Sequence, residues 1–595
     1  MRGGGSARQI AFWRAAKYRC RMADAVGGAD AGQNLAGPAP RRSHRWRVVV
    51  LFTLILLSWG WWCHHWQYLK TANEAMRLLF VQAVIETGRP ELEGVAARHG
   101  QVPVDRSEFG GHVYMDKAPG ASLLALPLYG ALQPVLPAIA KDDLWLFGYL
   151  ATLATMALPL LGALALLYRA LRRHGVGSAA VGWTIAALAT GSPLQVYASL
   201  FFGHALAAAC ILAAFAGIAG ANPQGGLSRR AAWGVGLLLG CAGLTDTPVF
   251  VLAGLVAAYA VVRALPWAEL PRTGAALQLP QRLARTWPVF GGLLVGVAGQ
   301  LLYNTWVLGH PLRFTYQYKA DANLAAIMQT GWLGFRLPQA TALIGLLLSA
   351  KRGLLYHAPW LAAAVAGLVV VLRRQQLPQA LRIDAAAALA MAGGYALFVS
   401  GFADWPGGDS PCARHLLPVV ALIGWGLAPL LDDRRLPGWG RAVIGAACLA
   451  GVLMHLPTVA TFPYHFDKLE RPVLDMGVPL IIRDGFSPSV AHWMGASNYA
   501  SLVLFVGLLA AIWAVGLALG RLPEVAGRRT VRVGIGATVW VVWATGMAAS
   551  VPEPPGRTAE VARYRAWSML KSGSSGKPPG VHGALGPQRV PVKDE

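Results

Sequence analysis

Charge is scarce in this sequence. Only 13% of the residues are charged, about half the share of a soluble domain. The rarer sign is negative, with 28 Asp and Glu against 52 Lys and Arg in 595 residues. A soluble chain of this length would divide into several domains with polar surfaces and linkers, and so few charges exclude that. Cysteine is also sparse: the six at positions 20, 63, 210, 241, 412 and 448 form no CxxC or Cys/His spacing. That excludes a zinc module, a redox pair and a disulfide-stapled fold. The net charge of +24 does not mark a nucleic-acid binder, because the arginines form no single basic face. They stand in short clusters between apolar runs. What remains is 55% hydrophobic residues and a mean hydropathy of +0.45, the composition of an all-α polytopic membrane protein in a lipid bilayer.

A helix needs about 20 apolar residues to cross the hydrocarbon core, and on that measure the chain holds about thirteen spans. The first is 48–63. The others are 144–168, 178–198, 204–220, 231–246, 248–263, 287–308, 354–372, 384–401, 415–430, 441–460, 498–519 and 531–550. Every second connection carries arginine: Arg169/Arg172/Arg173, Arg229/Arg230, Arg263/Arg272/Arg282/Arg285, Arg373/Arg374/Arg382, Arg434/Arg435/Arg441 and Arg521/Arg528/Arg529. Such loops stay in the cytoplasm. Residues 1–47, with ten Lys/Arg against two Asp, then form a disordered basic cytoplasmic tail. Residues 48–550 form the membrane domain, and the Pro/Gly/Ser-rich 551–595 a second disordered tail. The stretch 118–140 is nearly long enough to span, but Pro119, Pro127, Pro134 and Pro137 interrupt it. It is read as interfacial or re-entrant, which preserves the alternation. The high Ala, Arg and Gly content fits a bacterial inner membrane.

The unusual polar residues fall on the face opposite the arginine loops. The long first outer loop, 64–143, holds T-A-N-E-A-M-R (71–77), Asp105 and G-H-V-Y-M-D-K-A-P-G (111–120). Later outer connections hold His204, Asp246, Tyr316, Tyr318, Lys351-Arg352 and W-P-G-G-D-S-P-C-A-R-H (405–415). Charges at a membrane boundary are costly unless paired, solvated or functional, so their one-sidedness points to a site there. Residues 71–87 read as an amphipathic interfacial helix capped by Thr71 or Asn73, with Glu74 and Arg77 on its polar side as a local ion pair. Asp246, between Thr245 and Thr247, is accounted for by capping the helix that follows. His64-His65 are not read as a metal site.

The order Asn73-Glu74, Arg77, Thr87-Gly88, then Gly111-His112-Val113-Tyr114-Met115-Asp116-Lys117-Ala118-Pro119 resembles the first loop of the GT-C superfamily of membrane glycosyltransferases. The likeness is to the glycosyltransferase family 39 group, which includes protein O-mannosyltransferases and aminoarabinose transferases. That group carries an acidic pair, a nearby Arg or Tyr, and a G-x-x-Y-x-x-K-P-P-like motif. This chain departs in two places: Asn73 replaces the first acid, and Lys117-Ala118-Pro119 replaces Lys-Pro-Pro. The resemblance implies a GT-C-like helical fold whose first outer loop bears interfacial helices. It also implies a polyprenyl-phosphate-linked sugar donor, and inverting transfer to an acceptor hydroxyl at the outer face, with no cofactor and no metal. A carboxylate would act as general base: Glu74 first, Asp116 second, with Asp105 an alternative. Lys117, Arg352 and Arg414 are candidates for the lipid phosphate, Arg77 for orienting Glu74, and His204, Tyr316 and Tyr318 for lining the sugar or acceptor cleft. The acceptor and the sugar stay open. So do two other readings, a transporter or flippase of lipid-linked sugars and a non-catalytic membrane protein of the same fold.

Overall fold

The computed structural model describes residues 42–65, 71–99, 105–135, 144–221, 226–265, 280 and 283–522. The expected span 531–550, the tail 551–595, residues 1–41 of the basic segment, and Arg272, Arg282, Arg528 and Arg529 lie outside the described residues. Almost everything described belongs to one compact unit that begins at Arg47.

The chain is a multi-pass helical membrane protein. Its principal helices are α1 (Arg42–Trp59), α2 (Ala72–Thr87), α3 (Gly120–Leu132), α4 (Trp145–Arg173), α5 (Ser178–Thr190), α6 (Gly203–Ala219) and α7 (Arg229–Thr245). They continue with α8 (Val249–Ala264), α9 (Trp287–Leu308), α10 (Trp360–Arg373), α11 (Gln379–Ser400), α12 (Arg414–Leu431), α13 (Gly438–Ala460) and α14 (Asn498–Ala518). Among the described residues six of these, α4, α9, α11, α12, α13 and α14, are long and apolar enough to cross a membrane. The expected spans 178–198, 204–220, 248–263 and 354–372 correspond to shorter apolar helices. Two of the shortenings have a visible cause. Gly191-Ser192-Pro193 stops α5 at Thr190, and Pro359 delays the start of α10 to Trp360, because proline disfavours helical geometry in the residue before it.

Polar contacts tie the arginine-bearing connections to one another at one end of the bundle. Asp384, at the start of α11, accepts from Arg263 Nε at 2.9 Å and Tyr259 Oη at 2.7 Å, and lies 3.0 Å from His174 Nε2. Arg374 pairs with Asp433, and the Gly177 amide donates to Asp432 at 2.9 Å. Arg47 reaches the Ala518 carbonyl at 2.7 Å. Helices α6 and α8 each run from this group of contacts, at Ala219 and Arg263, to a second polar group at His204 and Asp246, so the described helices have an arginine end and a site end.

Close helix packing fixes the position of the site end. Gly236 and Gly240 of α7 face Gly292 and Gly296 of α9, and a Cβ on Gly296 would lie 2.2 Å from the Cα of Gly240. Small residues four apart on both helices let the backbones touch, a contact suited to a lipid environment where apolar burial gives little drive. This contact sets where α7 ends, and its end carries Thr245 and Asp246.

The long first loop, 64–143, is more folded than expected where it is described. Helix α2 does not lie in an interface: Asn73 through Ala83 are buried without interruption. After it comes an antiparallel hairpin, β1 (Arg106–Phe109) and β2 (His112–Met115), with Ser107 opposite Tyr114. Its two-residue turn, Gly110-Gly111, has φ of 62° and 85°, the left-handed pair that a tight hairpin demands. A bridge between Ser107 and Lys319 adds a later loop to this edge. Helix α3 occupies the proline-rich stretch, and 136–140 lie outside the described residues.

Candidate functional site

Thr71 caps α2, accepting from the Glu74 amide at 3.3 Å. The expected ion pair between Glu74 and Arg77 does not form, because burial offers each a different partner. Glu74 is 1% exposed. Its Oε1 accepts the Phe201 amide at 2.7 Å and lies 3.2 Å from His65 Nε2, while Oε2 accepts from the Tyr464 hydroxyl. Burial alone would strip His65 of its proton, but the adjacent carboxylate outweighs it and pushes the imidazole up to about 9. Glu74 is in turn held below the usual carboxylate value: burial raises it, and the His65 charge and hydrogen bonds lower it further. Glu74 is thus the joint of three chain segments, at 65, 201 and 464, and both its oxygens are occupied.

Arg77 turns the other way. Its Nε donates to Asn73 Oδ1 at 3.1 Å and its Nη1 to the Ala118 carbonyl at 2.9 Å. Asn73 therefore serves as a neutral acceptor for a buried guanidinium. The Ala118 amide donates to Tyr316 Oη at 3.2 Å. Next to it, Asp116 Oδ2 is held by Lys117 Nζ at 3.1 Å and by Lys319 Nζ, while Lys117 also pairs with Asp105 at 2.9 Å. Asp116 Oδ1 is sealed from solvent and, among the described residues, has no hydrogen-bond partner. Burial would raise Asp105, but Lys117 and Lys319 hold it well below the carboxylate range. Tyr316 is pushed up to about 12 by burial and by the Asp246 and Asp116 charges.

Two glycines bring this lysine–aspartate cluster against the ends of α6 and α7. A Cβ on Gly120 would lie 2.5 Å from Thr245 Oγ1, and one on Gly203 would lie 2.8 Å from the Thr245 carbonyl and 3.3 Å from Arg77 Nη2. With both side chains absent, His204 and Asp246 sit beside Arg77. The Asp246 side chain does not cap α8 as expected. It takes His204 Nδ1 at 2.7 Å, and the Val249 amide bonds instead to the Asp246 backbone carbonyl at 2.8 Å. The ring of His415 stands edge-on to His204 with centroids 5.1 Å apart. Arg414 Nε lies 3.5 Å from His415 Nε2. Among the described residues Arg414 has no carboxylate partner, although it is within electrostatic reach of Asp105, Asp246 and Asp404.

His204, Asp246 and His415 offer ligand atoms that lie within 4.8 Å of one another. Cations crowd them, however. Arg414 is on His415 and Arg77 faces Asp246, which opposes a further positive charge.

Of the residues expected at the site, Arg77, Asp105, Asp116, Lys117, Tyr316, His204 and Arg414 are brought together. Glu74 lies behind them. Tyr318 packs on Phe109, with ring centroids 4.7 Å apart, and the Arg313 guanidinium lies 5.7 Å over the same Phe109 ring. Arg352 is fully buried, its guanidinium donating to the Ser410 and Gly408 carbonyls and to Asp467 Oδ1 at 3.1 Å. It clasps two loops and offers no free fork to a phosphate. Sequence reasoning gave no role to Lys319, His65 or Tyr464, and it placed His415 only within the polar 405–415 segment. Lys319 directly follows the Tyr316–Tyr318 stretch, and a lone lysine in a loop carries no periodic signal.

No protein-family model matches this chain, and no curated protein matches it. Among solved structures it is similar to ArnT from Cupriavidus metallidurans bound to undecaprenyl phosphate. The identity is 17% over 80% of this chain and 77% of that chain, with a TM-score of 0.42. It is also similar to the apo oligosaccharyltransferase of Archaeoglobus fulgidus, at 12% identity over 93% of this chain and 62% of that chain, with a TM-score of 0.40.

Proposed function

We propose that this chain is a membrane glycosyltransferase that moves a sugar from a polyprenyl-phosphate donor to an acceptor hydroxyl at the outer face, with inversion. The observation that carries the reading is Arg414: a guanidinium that, among the described residues, has no carboxylate partner, beside a lysine–aspartate cluster, at the end of the bundle away from the arginine loops. Such a fork suits a phosphate that arrives on a lipid tail. Lys117 and Lys319 add positive potential, and Asp105 and Asp116 hold their ammonium groups in place. In the reaction the acceptor oxygen bonds to the anomeric carbon as it gives up its proton. The bond from that carbon to the phosphate oxygen breaks, and its electron pair leaves with the phosphate. Arg414 stabilises the charge that develops there. The cation-rich setting also supports the first-loop resemblance. A transporter would instead place ionisable groups near the middle of broken helices, whereas the ion pairs described here sit at the two ends.

The test is incubation of the purified protein with polyprenyl-phosphate sugars labelled in the sugar, together with envelope lipid, protein and polysaccharide acceptors. Label should appear in one acceptor class. Donor left intact across all sugars and acceptors would refute the proposal.

A further inference from the structure

The carboxylates of the first loop are badly placed to accept a proton. Glu74 has both oxygens occupied and is walled off. Asp116 has one oxygen held by two ammonium groups and the other shut away from solvent. Asp105 is tied to Lys117. One acceptor near Arg414 differs from these. His204 stands in the first turn of α6, and its Nδ1 meets Asp246 Oδ2 at 2.7 Å. A carboxylate there fixes the tautomer with the proton on Nδ1 and leaves a lone pair on Nε2. Among the described residues Nε2 has no hydrogen-bond partner. Unlike the ring nitrogens of His455, it is not sealed off, and His204 keeps 8% of its surface open.

We propose that His204 is the group that takes the proton from the acceptor hydroxyl, and that Asp246 is the residue that positions it. This deepens the glycosyltransferase reading and rests on it. His204 Nε2 gains the proton as the hydroxyl oxygen bonds to the anomeric carbon. The resulting imidazolium is stabilised by Asp246, and the phosphate departs with the electron pair of the broken bond toward Arg414. The charged and titratable groups around the ring are Asp246 from the α7–α8 turn, Arg414 and His415 from the start of α12, and Arg77 from α2, with Tyr197 at a ring distance of 6.5 Å. The arrangement also explains the neutral Asn73: with the proton acceptor contributed by α6, the first loop needs no free acid.

The test is sugar transfer as a function of pH by the wild type, His204→Asn, Asp246→Asn and Asp116→Asn. Asparagine at 204 keeps a donor for Asp246 but removes the basic nitrogen, and the melting profile of each purified variant checks folding. His204→Asn should lower kcat by about 100-fold or more, the range of general-base removal, with little change in KM and loss of the acidic limb of the profile. Asp246→Asn should lower kcat by about tenfold or more and shift that limb. Asp116→Asn should act mainly on KM. Folded His204→Asn with near-native kcat and an unchanged limb would overturn the assignment while leaving the transferase reading intact. So would activity lost to a chelator and restored by zinc, which would give the same side chains to an ion. A wild type inactive with every donor would bring down both readings, and the silence of all variants alike would identify that case.

Discussion

Glu74, 1% exposed, joins three segments of the chain through its two carboxylate oxygens. Its spacing from Arg77 suits a helix-surface pair, yet burial gives it His65, Tyr464 and the Phe201 amide instead. Removing one member of a buried ion pair leaves an uncompensated charge and costs about 3 kcal/mol or more. Glu74→Gln should therefore lower the melting temperature of the purified protein even without substrate, whereas loss of a dedicated base would leave stability intact. The pH dependence has a definite sign. His65 is held up at about 9 against an ordinary 6.5, so its contribution is complete below 6.5 and disappears as the pH rises through 9. Glu74 is held below its ordinary 4.5, so its contribution is present above that value and fades as acid is added. Thermal stability should plateau between 4.5 and 6.5 and decline on the alkaline side, and in Glu74→Gln the alkaline decline should flatten. An identical alkaline decline in the variant would contradict the pairing.

Among elements, the α7–α9 contact carries the most positional information. It fixes the end of α7, from which Asp246 projects, and it depends on four glycines rather than on any polar residue. Gly296→Leu would drive side-chain atoms into the Gly240 backbone, and overpacking of this kind costs about 1–3 kcal/mol. The expected outcome is a lower melting temperature together with weaker transfer, because Asp246 moves away from His204. Normal melting with normal transfer would mean that the two helices do not meet as described. These elements also show what could be read in advance. Apolar run length marked α4, α9 and α11 to α14, since length and hydropathy are local properties. The shortening of α5 and α10 follows from prolines already visible at 193 and 359. The β1–β2 hairpin escaped because its strands have four residues each and no clear alternation. Its Gly110-Gly111 turn was the one local sign of it.

On the scale of the whole molecule, the acids and cations described here divide between an arginine end and a site end, joined by helices α6 and α8. Asp384 and Asp433 fasten the arginine end. The site end gathers Arg77, Asp116, Lys117, Lys319, His204, Asp246 and Arg414 from six separate stretches of chain. Which residues would converge was partly legible, because polar residues between apolar runs have few places to go. Which partners they would take was not. Glu74 with His65, Asp116 with Lys319 and His204 with Asp246 are long-range pairings decided by packing, and no spacing in the sequence encodes them. The central claim, that a lipid-borne phosphate lands on Arg414, is tested most directly by the affinity of the purified protein for polyprenyl phosphate, compared between wild type and Arg414→Gln. A charge-assisted hydrogen bond contributes about 1.5–3 kcal/mol, so the variant should bind at least tenfold more weakly with its melting temperature unchanged. Equal affinity in the two proteins would contradict the account.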